Sequence, residues 1–398
     1  MANNFKTETT MMEANQEILV NQYLKCLVWE IQNSQAEAGD DPKLEQILNL
    51  ALEILLEGDF QQRWEVAKIL PKLGNKAIAP LLSILEDQEA DLEIRWFVGR
   101  ILGEFDHPEI ILSLVKILQE TNEEELSMMA AATLAKIGPS AIEALTTLLK
   151  NPSSRMLAVI SLAQIRHSQT ILPLLTVIDD TLPEIRATVI EALGSFHDEH
   201  LITFLLGALK DCSSIVRKEA VIAVGMQSQF QEKFDLVNQI KPLLYDPERE
   251  VCQQAIIALG RMEDNEAGKA LFTLLKSPAT PNMLKKEAIR ALSWIETSQS
   301  LVYLQEGLRW GNLLVCQEII TALGRQERSE LKEKSSQILI DFLDSNQEAP
   351  KEPQIRQSVA ISLGELQDRA SLDLLRSLAK DLDQGVRLHA IAALRKFS

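Results

Sequence analysis

Along most of the chain apolar residues return every three or four positions in runs of roughly ten, broken by short polar segments. In EIRATVIEALG, ending at Gly194, the residues Ile185, Val189, Ala192 and Leu193 fall on one face of a helix. The block recurs as EIRWFVGRILG to Gly103, IVRKEAVIAVG to Gly225, QIRQSVAISLG to Gly364 and GVRLHAIAAL to Leu394. Its arginine keeps a steady interval: Arg155, Arg186 and Arg217 stand 31 apart, as do Arg356 and Arg387, and Arg63 and Arg95 are 32 apart. Each block predicts one amphipathic helix, and its closing glycine predicts a left-handed C-cap.

Between the blocks lies a second periodic segment, such as AIAPLLSILED from Ala77, AIEALTTLLKN from Ala141 or HLITFLLGALKD from His200. Two short helices per unit leave apolar faces that only stacked neighbours can bury, so the pattern predicts a repeat array. About eleven repeats fit between Phe60 and Ser398, with degenerate members near Ser127, Arg155 and Lys285. Residues 1–59 read as a tail and helical cap: 1–12 as disordered, 13–34 and 42–57 as helices without the Arg and Gly signature. Two insertions break the period, GMQSQFQEKFD after Val224 and DSNQEAPKEPQ after Leu343; the second, near 344–354, reads as a loop and the better candidate for a proteolytic nick or a hinge.

Composition narrows the function classes. Hydrophobic residues make up 46% and aromatics only 5%, which suits aliphatic helical cores. A net charge of −17 argues against binding nucleic acid, since that affinity comes from Lys and Arg neutralising phosphates, and favours partners with basic patches. No run of the sequence has the apolar length of a membrane span and its start lacks a signal-peptide plan, so the expected location is cytoplasmic. Four scattered cysteines, Cys26, Cys212, Cys252 and Cys316, fit a reducing compartment better than a disulfide framework. A phosphate-cradling glycine loop, a GxSxG elbow, an HExxH helix and paired CxxC motifs are all missing.

The blocks IRWFVGRILGEF and VRKEAVIAVG resemble the HEAT-like repeats of the cyanobacterial phycobilisome-lyase class, and the likeness runs over almost everything after residue 60. It implies an all-α fold, a right-handed α-solenoid of HEAT-like two-helix repeats with an N-terminal helical cap. The class contains bilin lyases, proteins that assist phycobilisome degradation, and members that act only as binding scaffolds. Lyases of this type usually work as pairs of shorter chains, and no lyase catalytic residue matches a position here.

In such a solenoid the Arg-bearing helix is expected to line the concave groove, with the two residues after the Arg facing it. Those pairs are Trp64 with Glu65, Trp96 with Phe97, Met128 with Met129 and Met156 with Leu157, followed by smaller or polar pairs such as Ala187 with Thr188, Lys218 with Glu219 and Gln253 with Gln254. Trp64, Trp96 and Met128 repeat every 32 residues and predict an apolar stripe for a partner, Trp as a large anchor and Met as an adaptable contact. An ordinary core would have the same spacing, but Val66, Ala67, Val98 and Leu102 already supply these helices with an apolar face.

The recurrent arginines are expected to pair with an Asp in a neighbouring loop, with Asp91, Asp180, Asp211 and Asp383 as candidates. Arg100 and Arg290, farther along their helices, are candidates for an acidic group in the groove. Cys252 and Cys316 occupy the Arg position of VCQQAIIALGR and VCQEIITALGR, two repeats apart. Neighbouring helices pack about 8–10 Å apart, which spaces the two sulfurs too widely for one metal. They read as small half-buried side chains, with a redox or metal role as the alternative. His197 and His200 read as capping or exposed residues, since a structural metal needs four ligands.

The sequence is therefore read as a non-catalytic scaffold, gripping a protein partner through Trp64, Glu65, Trp96, Phe97, Arg100, Met128, Met129 and Met156, with no cofactor and no metal. By resemblance that partner is a phycobiliprotein or a phycobilisome-associated factor. One alternative is a lyase that attaches or isomerises a phycobilin, and a second is an adaptor in iron–sulfur cluster handling resting on Cys252 and Cys316.

Overall fold

A computed structural model describes residues 42–397. The expected tail at 1–12, the helix at 13–34 and Cys26 lie outside the described residues. Every regular element among the described residues is helical, and the fold is an α-solenoid of HEAT-like helix pairs. The chain divides into two compact units that meet in sequence at Asp179 and Asp180.

The first unit holds α1 (Pro42–Glu57), α2 (Phe60–Ala67), α3 (Ile78–Glu86), α4 (Leu92–Leu102), α5 (Pro108–Glu120), α6 (Glu124–Ile137), α7 (Ile142–Leu148), α8 (Arg155–Ile165) and α9 (Ile171–Leu175). The expected helix at 42–57 is α1, and it does the work of a repeat helix. Leu55 is fully buried, and the carbonyls of Leu55 and Leu56 accept from Arg63, much as that of Leu85 accepts from Arg95. In α4 the Asp91 side chain caps the helix by accepting from Glu93 N–H, while Ile94, Phe97, Val98, Ile101 and Leu102 turn inward at helical spacing.

The second unit continues with α10 (Pro183–Gly194), α11 (Ile202–Ala208), α12 (Ser214–Gly225), α13 (Gln231–Phe234), α14 (Leu236–Ile240), α15 (Arg249–Gly260), α16 (Asn265–Lys276), α17 (Asn282–Trp294), α18 (Ser298–Trp310), α19 (Leu313–Leu323), α20 (Ser329–Leu343), α21 (Pro353–Leu366), α22 (Leu372–Leu378) and α23 (Gln384–Arg395). The insertion after Val224 becomes a 3-10 turn followed by α13 and α14, which are split by Asp235 in the left-handed region at φ 51°. The insertion after Leu343 carries a 3-10 turn at Ala349–Lys351 and is anchored: Pro350 is buried, and the carbonyls of Pro350 and Lys351 accept from Arg356.

The block-ending glycines are not left-handed caps. Gly103 has φ −66°, and Gly194, Gly225 and Gly364 lie inside right-handed helix, whereas the only described glycines with positive φ are Gly74 and Gly138. Their role is proximity. A Cβ on Gly194 would stand 2.4 Å from the Cβ of Ala223, and Gly225 meets Ala258, Gly260 meets Ala291 and Gly364 meets Ala393 at 2.7–2.8 Å. The corresponding helices of successive repeats therefore touch backbone to methyl, at a separation only a missing side chain permits.

The arginines form a ladder within the second unit. Arg186 donates through Nε and Nη2 to both carboxylate oxygens of Asp211 at 2.8 and 2.7 Å, Arg217 likewise to Asp246 at 2.7 and 2.8 Å, and Arg356 to Asp381 at 2.7 and 3.1 Å. Each Nη1 turns back onto carbonyls of its own preceding loop, such as Asp180 and Thr181 for Arg186. Of the expected partners, Asp211 fills the role. Asp91 and Asp383 cap helices instead, while Asp246 and Asp381 are the further rungs.

Candidate functional site

The expected partner stripe begins on α2. Asp59 and Gln62 form a capping box that starts this helix, so Phe60 and Trp64 lie one turn apart on it. Phe97 of α4 is 2% exposed and contacts Phe60, Trp64 and Trp96 edge to face, each with ring centroids 5.5 Å away. Such contacts contribute about 0.5–1.5 kcal/mol each beyond burial. Phe97 is thus the hub beneath the aromatics and not a groove residue, a correction to the paired reading of Trp96 with Phe97.

Met129 is mostly buried but still lines the depression beside Met128. It is 4% exposed and packs its sulfur where a Cβ on Gly99 would come within 2.1 Å. The first member of each pair remains accessible: Trp64, Trp96 and Met156 are half-buried and Met128 is exposed. Adjacent residues on a helix point about 100° apart, so in the second and third pairs one member turns inward while the other stays accessible. Glu65 is half-buried and ion-paired to Lys68 at 2.8 Å.

Arg100 follows Trp96 by one turn and lays its guanidinium against both indoles, 4.9 Å from the Trp96 ring centroid and 5.6 Å from that of Trp64. Cation–π contacts at such exposed positions are worth about 0.5–1 kcal/mol, enough to hold the side chain across the two rings. Beside it opens a depression of about 600 Å³, with Trp96 and Met128 as apolar lining, Arg100 as a cation, and the exposed carboxylates Glu124 and Glu125. Lys136 also lines it and pairs with Glu104. Phe60, Glu124 and Glu125 were missed by sequence reasoning, because they lie outside the two positions following the Arg. Arg290, the other candidate cation, is engaged internally with Glu318 at 2.7 Å and Glu287 at 3.4 Å.

Cys252 and Cys316 are buried, at 5% and 0% exposure. Each donates its thiol to a carbonyl, Cys252 to Asp246 at 3.1 Å and Cys316 to Gly311 at 3.4 Å, so they take over the backward half of the Arg's bonding. Burial pushes the Cys316 thiol up to about 11, and burial together with the nearby Asp246 charge raises that of Cys252. Both are neutral thiols at pH 7, the form opposite to a metal-ligating thiolate. Among the described residues no group of three or more His, Cys, Asp or Glu is placed to hold a metal ion. His200 contacts Asp198 at 2.9 Å and His197 contacts Gln229 at 3.3 Å.

No described helix is long and apolar enough to cross a membrane. A family model described as HEAT repeats matches residues 78–157, 142–225, 237–324 and 348–398. No curated protein matches the chain. Among solved structures, Kap121p bound to Pho4p is 15% identical with a TM-score of 0.59, the match covering 95% of this chain and 49% of Kap121p. A Kap95p complex with RanGDP is 14% identical with a TM-score of 0.54, covering 99% of this chain and 59% of that one. At these identities the likeness concerns the fold alone.

Proposed function

The chain belongs to the HEAT-repeat family, and from that premise we propose that it is a non-catalytic scaffold holding a protein partner on the Arg-bearing helices of its first unit. The observation that carries this reading is Arg100 laid across Trp64 and Trp96 at the edge of an open depression floored by Met128. Trp, Arg and Met are the side chains that most often anchor protein interfaces, and here they stay accessible while Phe97, Val98 and Leu102 fill the core beneath them. Glu124 and Glu125, with a chain charge of −17, favour a partner segment that sets an apolar anchor beside a basic residue. The fold is compatible with that role, since Kap121p shares it and is seen bound to Pho4p and to Nup53p.

The likeness of the blocks to phycobilisome-lyase repeats makes a phycobiliprotein, or a factor in phycobilisome assembly or degradation, the first partner class to test. Pull-downs from a cyanobacterial lysate would compare the wild-type chain with Trp64→Ala/Trp96→Ala and with Arg100→Glu, after circular dichroism has shown all three folded. A protein captured by the wild type and lost from both variants supports the scaffold. Equal capture by all three removes these residues from the site, and a bilin absorbance on the wild-type bait itself moves the assignment to a lyase.

A further inference from the structure

The first unit has an arginine at the same position of its repeat but without a carboxylate partner, Arg95. In the complete rungs the acceptor sits 25 residues after Arg186 and Arg356 and 29 after Arg217, in a turn where its carboxylate also takes the N–H two residues on: Asp211 from Ser213, Asp381 from Asp383, and Asp246 from Glu248. Thr121 stands 26 residues after Arg95 and makes the same turn, its hydroxyl accepting from Glu123 N–H at 3.1 Å. It has the right position but no negative charge. Arg95 donates only through Nε, to the carbonyl of Leu85 at 3.0 Å, so the outer fork of a half-buried guanidinium has no acceptor among the described residues.

The space facing that fork is a cavity of about 270 Å³, lined among others by Arg95, Ser113, Lys116 and Thr121. Ser113 is 4% exposed and its Oγ has no hydrogen-bond partner. A buried hydroxyl without a partner is a cost that a ligand would remove, and the half-buried Arg95 beside it leaves its outer fork open to receive one. We propose that this notch is a binding site for a single carboxylate supplied from outside the chain, which completes the rung as Asp211 and Asp246 complete theirs. The guanidinium fork matches a carboxylate in plane and spacing, Lys116 adds a second positive charge at the mouth, and the Ser113 hydroxyl donates to an oxygen. The exposed rim carboxylates Glu86, Glu120 and Glu123 repel a dianion more than a monoanion, which selects a carboxylate over phosphate. The site is lined by different residues from the Trp96 depression and does not depend on it.

The test follows the arginine Nε–Hε resonances of the full-length, isotope-labelled chain during titration with butyrate and, separately, with N-acetyl-glutamic acid amide, both monoanions, each against matched sodium chloride. The Arg95 resonance, identified by its loss in Arg95→Lys, is expected to shift saturably. Saturation by the blocked residue marks an acidic side chain of a protein partner as the source, and saturation by butyrate alone marks a free organic acid. Thr121→Asp should supply the carboxylate internally, moving the resonance without ligand and abolishing its response. Ser113→Ala should stay folded and at least as thermally stable, yet bind roughly tenfold more weakly. An Arg95 resonance that responds to neither probe beyond the salt control, or a Thr121→Asp chain that titrates like wild type, overturns the proposal. Trp64→Ala/Trp96→Ala should titrate normally, so failure of the scaffold reading and failure of this one are separable.

Discussion

The backbone of Gly194 and the methyl of Ala223 meet so closely that a Cβ added to Gly194 would lie 2.4 Å from the Ala223 Cβ. Gly194→Ala should therefore overpack the contact between α10 and α12 and destabilise by about 1–3 kcal/mol. Gly207, exposed on α11 with open space for 4 Å around the point where a Cβ would stand, is the control, and Gly207→Ala should be neutral or stabilise by up to about 1 kcal/mol. Urea unfolding of the two variants checks the sign. If Gly194→Asn were tolerated better than Gly194→Ala, a left-handed cap would be the better account.

Arg217 and Asp246 share two hydrogen bonds with side chains 14% and 6% exposed. Asp246→Ala leaves that guanidinium without its anion and should cost about 3 kcal/mol. The exposed pair Lys351 and Glu348 is the contrast, and Glu348→Ala should change stability by no more than about 0.5 kcal/mol. Equal losses in denaturant midpoint for the two variants would contradict the ladder's role.

Hydrogen bonds from Arg186, Arg217 and Arg356 hold the carboxyls of Asp211, Asp246 and Asp381 below the usual carboxylate value. A depressed folded value contributes stability that is fully present above the unfolded value, about 3.9, and is lost as pH falls toward the folded one. Melting temperature should thus hold steady above about pH 5 and fall below about pH 4. The gap between wild type and Asp246→Asn should shrink over that same acid range. A gap that stays constant down to about pH 2.5 would show that Asp246 does not carry the effect.

Thiol titration separates the cysteines. In a Cys26→Ser background the native chain should expose one fast-reacting thiol, Cys212, with Cys252 and Cys316 reacting only on unfolding. Raising the pH to about 9 should not release Cys316, whose thiol titrates at about 11. Fast labelling of Cys252 or Cys316 in the folded protein would reopen a redox or metal role for them.

The sequence by itself determined the repeat. The 31- and 32-residue Arg intervals and the helical apolar spacing predict two-helix units, and the Arg-bearing helices occur where the blocks lie, because period is a local property of the chain. The existence of an arginine ladder was legible for the same reason, and Asp211 was named correctly. Tertiary structure decided the rest. Which of Trp96 and Phe97 faces outward depends on the angle at which α4 meets its neighbours, and periodicity does not contain that angle. The glycines look like caps in sequence because they end apolar runs, yet their requirement comes from a methyl about thirty residues away. The empty rung at Arg95 was visible only as a threonine where the completed rungs hold Asp. The orphaned Ser113 beside it, on α5, became its neighbour only when stacking brought the helices together.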